Sequence, residues 1–133
     1  MSLRNLTENF LISLSAHGVV NTELIKNTET MIYANALKII DENIYSKLTV
    51  AELASKCNSS VSYLKKIFGK YNGLGIHEYI LKNKISLAKQ MLRDGDSVTE
   101  ISDKLSFSSQ NYFSTAFKRE VGISPGHYKT DMY

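Results

Sequence analysis

Apolar residues recur every three or four positions along most of this chain. Nowhere do they alternate with period two over enough residues to mark a strand. Residues 31–45, MIYANALKIIDENIY, place Ile32, Ala36, Ile39, Ile40 and Ile44 on one stripe, the spacing of an amphipathic helix. Residues 76–93 repeat the pattern with Ile76, Ile80, Leu81, Ile85, Ala88, Met91 and Leu92, a helix about 27 Å long at 1.5 Å per residue. Leu3, Leu6, Phe10, Leu11 and Leu14 form a further stripe that Gly18 ends. The pattern predicts an all-α protein with an N-terminal helical extension.

Polar punctuation shows that part of this pattern occurs twice. TVAE at 49–52 and SVTE at 97–100 both read as capping boxes, in which a hydroxyl accepts a first-turn N–H and a glutamate reaches back to the cap's own N–H. The short helices they open correspond at an offset of 48, pairing Val50 with Val98, Glu52 with Glu100, Leu53 with Ile101 and Lys56 with Lys104. The offset then becomes 49, pairing Ser59 with Ser108, Ser60 with Ser109, Tyr63 with Tyr112, Phe68 with Phe117, Lys70 with Arg119 and Gly73 with Gly122. One residue near Phe107 is therefore inserted in the second copy's turn. Each copy is a short helix, a tight turn and a longer helix, which is a helix-turn-helix unit (about 49–73 and 97–122). In such a unit the first helix braces the second, and the second can lie in a DNA major groove.

The apolar spacing assigns faces. Leu53 and Ala54 face Leu64, Ile67 and Phe68, while Ile101 and Leu105 face Phe113, Ala116 and Phe117. The side chains left pointing outward on the longer helices (60–71 and 109–120) suit nucleic acid. Ser62, Lys65, Lys66, Gln110, Asn111, Ser114 and Thr115 are candidates for base edges, and Lys70, Ser109, Lys118 and Arg119 for phosphates. Charge changes this picture modestly. The net charge is +3, but residues 1–49 hold four basic against five acidic side chains, and residues 50–133 twelve against eight. Lys65, Lys66 and Lys70 cluster without an acid, which suits a polyanion and equally describes a solvated helix face.

Two such units joined by a helix, ending in YFSTAFKREVGISPGHYK (112–129), resemble the DNA-binding domain of the AraC/XylS family of bacterial transcription regulators. The family's pattern of a small residue and Phe, then Tyr-Phe, Phe-Lys, Gly, Ser-Pro and Tyr-Arg falls here on Ser106-Phe107, Tyr112-Phe113, Phe117-Lys118, Gly122, Ser124-Pro125 and Tyr128-Lys129. The run from Leu53 to Leu92 tracks the family through the linker helix, and the resemblance covers about residues 33–133. It implies double-stranded DNA as partner, RNA polymerase as a candidate further partner, no cofactor and a cytoplasmic, bacterial setting. Residues 1–32 would be an extension or the linker of a larger ligand- or phosphorylation-controlled regulator. Residues 1–30 are also a candidate homodimer contact, with an ordinary packing helix as the alternative. This chain departs from the family with Ser106 in place of Gly, and with Lys66 and Lys84 in place of Arg. Ser106 in a left-handed turn would cost about 1 kcal/mol; Asn58, its counterpart, tolerates that conformation better.

Other classes find less support. No apolar run approaches the roughly 20 residues of a membrane span, and no secretory pattern is present. The single Cys57 cannot form an internal disulfide, which points to a reducing compartment, and its place at the end of a short helix suits a buried apolar residue. His17, His77 and His127 lack metal-ligand spacing. No phosphate loop, nucleophile elbow or paired-carboxylate motif occurs, so the chain reads as a binding protein and not an enzyme. A protein-binding helical adaptor would explain the helices but not the duplicated outward polar sets. Ser124-Pro125 predicts an N-cap and first residue of a final helix that buries Tyr128.

Overall fold

The computed structural model describes residues 19–131, so the stripe from Leu3 to Leu14 lies outside the described residues. Seven helices follow in order: α1 Val19–Glu42, α2 Val50–Lys56, α3 Val61–Asn72, α4 Ile76–Arg93, α5 Val98–Lys104, α6 Gln110–Val121 and α7 Pro125–Asp131. Among the described residues no strand forms. The linker helix α4 has the bounds that its stripe predicts. The two longer helices of the units each start one residue later than read, because Ser60 and Ser109 are their N-caps.

Helix α1 differs most from the periodicity. It begins well before residue 31, runs unbroken through position 32, and ends at Glu42, before Ile44. The end has a local cause, since Asn43 turns back and its side-chain amide donates to the Ile39 carbonyl at 2.8 Å. The early start was hidden because NTELIKNTET carries too few apolar residues to show a stripe.

Packing divides the apolar side chains into two cores. One joins Ala36, Ile39 and Ile40 of α1 to Leu53, Ala54, Leu64, Phe68 and Ile76. The other joins Leu81, Ile85, Ala88 and Leu92 of α4 to Ile101, Leu105, Phe113, Ala116 and Phe117. Helix α4 thus contributes to both, and the partly buried Leu87 touches both. Fully burying one such large side chain contributes about 1.5–3 kcal/mol, so α4 cannot shift against either unit without exposing apolar surface. Cys57 is buried in the first core, and that burial pushes its thiol pKa up.

The caps follow the hydroxyl pattern, with one correction. Ser97 and Glu100 form the complete reciprocal box. At the first unit Thr49 accepts from the Glu52 N–H at 3.1 Å, but the Glu52 carboxylate accepts from the Thr49 hydroxyl instead of its backbone N–H. Only half of that box forms, with the carboxylate taken up by the hydroxyl.

In the two turns Asn58 and Ser106 both adopt left-handed backbone, with φ of 53° and 56°. The family's Gly conformation is therefore kept at Ser106. The Ser106 hydroxyl donates to the Tyr45 carbonyl at 2.6 Å, a bond from the second unit to the segment between α1 and α2 that offsets the strain and that glycine could not make. Lys84 acts at the same junction. It is 8% exposed, and its ammonium donates to the carbonyls of Ser46 at 3.0 Å, in the segment between α1 and α2, and of Leu105 in the second unit. Burial pulls its pKa below the ordinary lysine value.

Helix α7 closes the second core. The Ser124 hydroxyl accepts from the His127 N–H at 3.2 Å, and Pro125 is fully buried. Tyr128 is half-buried and not buried as expected, its ring packing edge-on to Phe117 at 5.5 Å. Its hydroxyl accepts from Arg93 at 3.0 Å. Replacing Ser124 by Ala should cost about 1 kcal/mol of stability, read as a lower thermal midpoint with faster amide exchange in α7.

Candidate nucleic-acid interface

Helices α3 and α6 are built alike. Ser60 and Ser109 accept from the N–H groups of Tyr63 and Tyr112, and Gly73 and Gly122 end the helices in the left-handed region, with φ of 87° and 100°. Each helix buries one stripe: Leu64, Ile67 and Phe68 in α3, Phe113, Ala116 and Phe117 in α6. Opposite the stripe, at equivalent positions 49 apart, stand Ser62, Lys66 and Gly69 in α3 and Asn111, Thr115 and Lys118 in α6, all exposed. The two units thus present the same geometry with different chemistry.

The other candidates flank these ridges. Lys65 and Arg119 are exposed and Ser114 is half-buried. Gln110 is exposed, but its side-chain carbonyl accepts from the Thr99 hydroxyl of α5 at 2.8 Å, which turns its amide N–H groups outward. Ser109 uses its oxygen as the cap acceptor and keeps its O–H to donate. Lys65, Lys66, Lys118 and Arg119 form no ion pair among the described residues.

Lys70 stands apart from the other cations. Its ammonium lies 2.8 Å from Glu29 of α1, a carboxylate side chain only 10% exposed. The Tyr71 hydroxyl donates to the same oxygen at 2.9 Å, and Asn72 donates to the Tyr33 hydroxyl at 2.9 Å. The C-terminal end of α3 is therefore clasped by α1, and a phosphate at Lys70 would share its ammonium with Glu29. The Lys70 and Tyr71 hydrogen bonds hold the Glu29 carboxyl below its ordinary value of 4.5. A depressed carboxyl pKa adds stability above the unfolded-state value, which is lost as pH falls through the folded one. Glu29→Gln should lower stability at neutral pH and flatten its fall below pH 4.5, seen by comparing thermal midpoints of both proteins across an acid series.

Glu29 and Tyr33 were missed by sequence reading; Tyr63 and Tyr112, which the repeat pairs, stand on the outer flanks of α3 and α6, exposed by 37% and 40%. Glu29 carried no signal, because its partners lie 41 and 42 residues away.

Known proteins share this architecture. The Msm operon regulatory protein of Streptococcus mutans is 39% identical over 108 residues, covering 80% of this chain and 39% of that protein. A putative AraC-like transcription regulator of Streptomyces antibioticus is 34% identical over 99 residues, covering 74% of this chain and 33% of its own length. The chain thus spans well under half of either relative. The C-terminal domain of AraT, a response regulator from Geobacillus stearothermophilus, superposes with a TM-score of 0.72 at 27% identity, covering 75% of this chain and 84% of that one. The family model described as a helix-turn-helix domain matches residues 53–131, from within α2 to the end of α7, and the chain belongs to that family in its AraC-type form.

Proposed function

We propose that this chain is the sequence-specific, double-stranded-DNA-binding part of a bacterial transcription regulator, with α3 and α6 entering successive major-groove segments. The observation that carries the reading is the pair of matched outward faces, Ser62-Lys66-Gly69 and Asn111-Thr115-Lys118, held by one helix that belongs to both cores. Successive segments on one DNA face lie about 34 Å apart, and a rigid α4 keeps the two faces at a set separation. Ser62, Lys65, Lys66, Gln110, Asn111, Ser114 and Thr115 serve as base-contact residues, while Ser109, Lys118 and Arg119 anchor phosphates, with Lys70 shared between phosphate and Glu29.

Selection from random duplexes followed by footprinting tests this. The expected site is asymmetric, with two protected segments one helical turn apart, because the two faces differ in sequence. Protection of a single segment, or no enrichment over random duplex, would sink the reading.

The same reading places the chain within a longer, cytoplasmic regulator, in agreement with its span of the relatives, and makes residues 1–32 the extension or link to a sensing or phosphorylated domain. Among the described residues no helix is long and apolar enough to cross a membrane. Self-association through residues 1–30, a segment whose apolar stripe lies outside the described residues, and contact with RNA polymerase are further parts of this proposal.

A further inference from the structure

A cleft of about 440 Å³ opens between the two units, beside the groups that hold them together. Its apolar walls come from Leu48 and Val50 of the first unit, Ile80 and Leu81 of α4, and Phe107 and Tyr112 of the second unit. Lys47, Lys84 and His77 also line it, and no carboxylate does. Clefts that hold small molecules have volumes of about 300–1,000 Å³, mainly apolar walls and a few polar groups that fix orientation, and this one meets each condition.

The charge is what selects the occupant. Lys84 is buried, and among the described residues no carboxylate pairs with its ammonium. Two backbone carbonyls take two of its protons, and Phe107 lies 5.6 Å from the nitrogen. A buried ammonium answered only by carbonyl dipoles remains short of a counter-charge. Lys47 and His77 are exposed, and the His77 Nε2 stands 3.4 Å from the Tyr112 hydroxyl, which sets its ring beside that side chain. Phe107 and Tyr112 have ring centroids 5.9 Å apart, an aromatic wall suited to a flat apolar body. A bare phosphodiester would satisfy the cations but leave these walls uncovered.

We propose that this cleft binds a small aromatic carboxylate, with its rings against Phe107 and Tyr112 and its carboxylate toward Lys47, His77 and Lys84. An occupant there touches both units at once and so bears on how they are spaced.

The test uses the chain as it stands, with 2-naphthoate and the neutral 2-naphthalenemethanol as probes followed by amide NMR shifts. Naphthoate should saturate with a Kd below about 1 mM, and the neutral alcohol should bind about tenfold more weakly. Perturbed amides should cluster at residues 47–50, 77–84 and 106–112. A Lys47→Gln/His77→Gln variant leaves Lys84 and the unit junction intact, and should weaken naphthoate several-fold while leaving the alcohol unchanged, with Lys84 keeping part of the preference for the acid. Ile80→Trp should abolish binding of both probes by filling the cleft. Equal binding of acid and alcohol, non-saturating shifts, perturbation elsewhere, or full affinity in the double variant would overturn the proposal. So would cleft shifts that appear with duplex DNA but not with naphthoate, since the cleft would then be a passage for the DNA backbone.

Discussion

Phe117→Ala should unfold the second unit before the first, at a cost of about 3–5 kcal/mol. Phe117 is fully buried at the centre of a row of rings, with Phe113 at 5.9 Å and Tyr128 at 5.5 Å. Truncation removes its transfer free energy and leaves a cavity that α4, α6 and α7 must all move to fill. Domains of this size have total stabilities of about 5–15 kcal/mol, so the loss is a large share of the whole. Phe117 belongs to the second core and not to the first, which is why the damage should be local. Native-state amide exchange would read it: protection should collapse at Ile101, Leu105 and Phe113 and persist at Leu64 and Phe68. Uniform loss across both units would mean that Leu87 and the rest of α4 couple the two cores into one cooperative unit.

The second large effect concerns readout. Asn111 is exposed near the N-terminal end of α6, where recognition helices meet base edges, and an asparagine amide can bond adenine bidentately. Thr115 follows one turn later on the same face. Asn111→Ala should cost about 1–3 kcal/mol on the best site, relax preference at one base pair and leave the salt dependence nearly unchanged. Lys118 lies on the same ridge but carries only a point charge. Lys118→Ala should weaken binding to every sequence alike and reduce the salt slope by about one unit. Binding isotherms on selected and scrambled duplexes at several salt concentrations separate the two. Equal loss for Asn111→Ala on both duplexes would reduce α6 to an anchor on the backbone.

Much of the architecture was legible in the residues. The linker helix, both helix-turn-helix units and the inserted turn residue follow from spacing and caps. The turns confirm the insertion: residues 57–60 separate α2 from α3, whereas residues 105–109 separate α5 from α6. The buried stripes Leu64-Ile67-Phe68 and Phe113-Ala116-Phe117 also stand where periodicity put them. These features share a physical cause. A helix face, an N-cap and a left-handed turn are decided by residues within about one helical turn of each other, so a linear pattern records them.

What the tertiary structure decided is which face meets which, and how the chain's polar groups pair over distance. A period of 3.6 tells that Phe68 lies on a buried side, but not that the Tyr33 ring packs against it at 5.4 Å. It showed nothing of the helix from Val19 to Thr30, whose clearest anchor is Glu29 in the clasp on α3. Lys70 looked like a free cation until α1 brought a carboxylate to it. Lys84 looked like a family arginine in lesser form, and became the group that bridges Ser46 and Leu105. Ser106 looked like a strained substitute for glycine, and its hydroxyl reaches Tyr45, 61 residues away. Hydrogen bonds of that range leave no periodic trace, because either partner alone is an unremarkable polar residue, and only the packing of two cores against a shared helix brings them together.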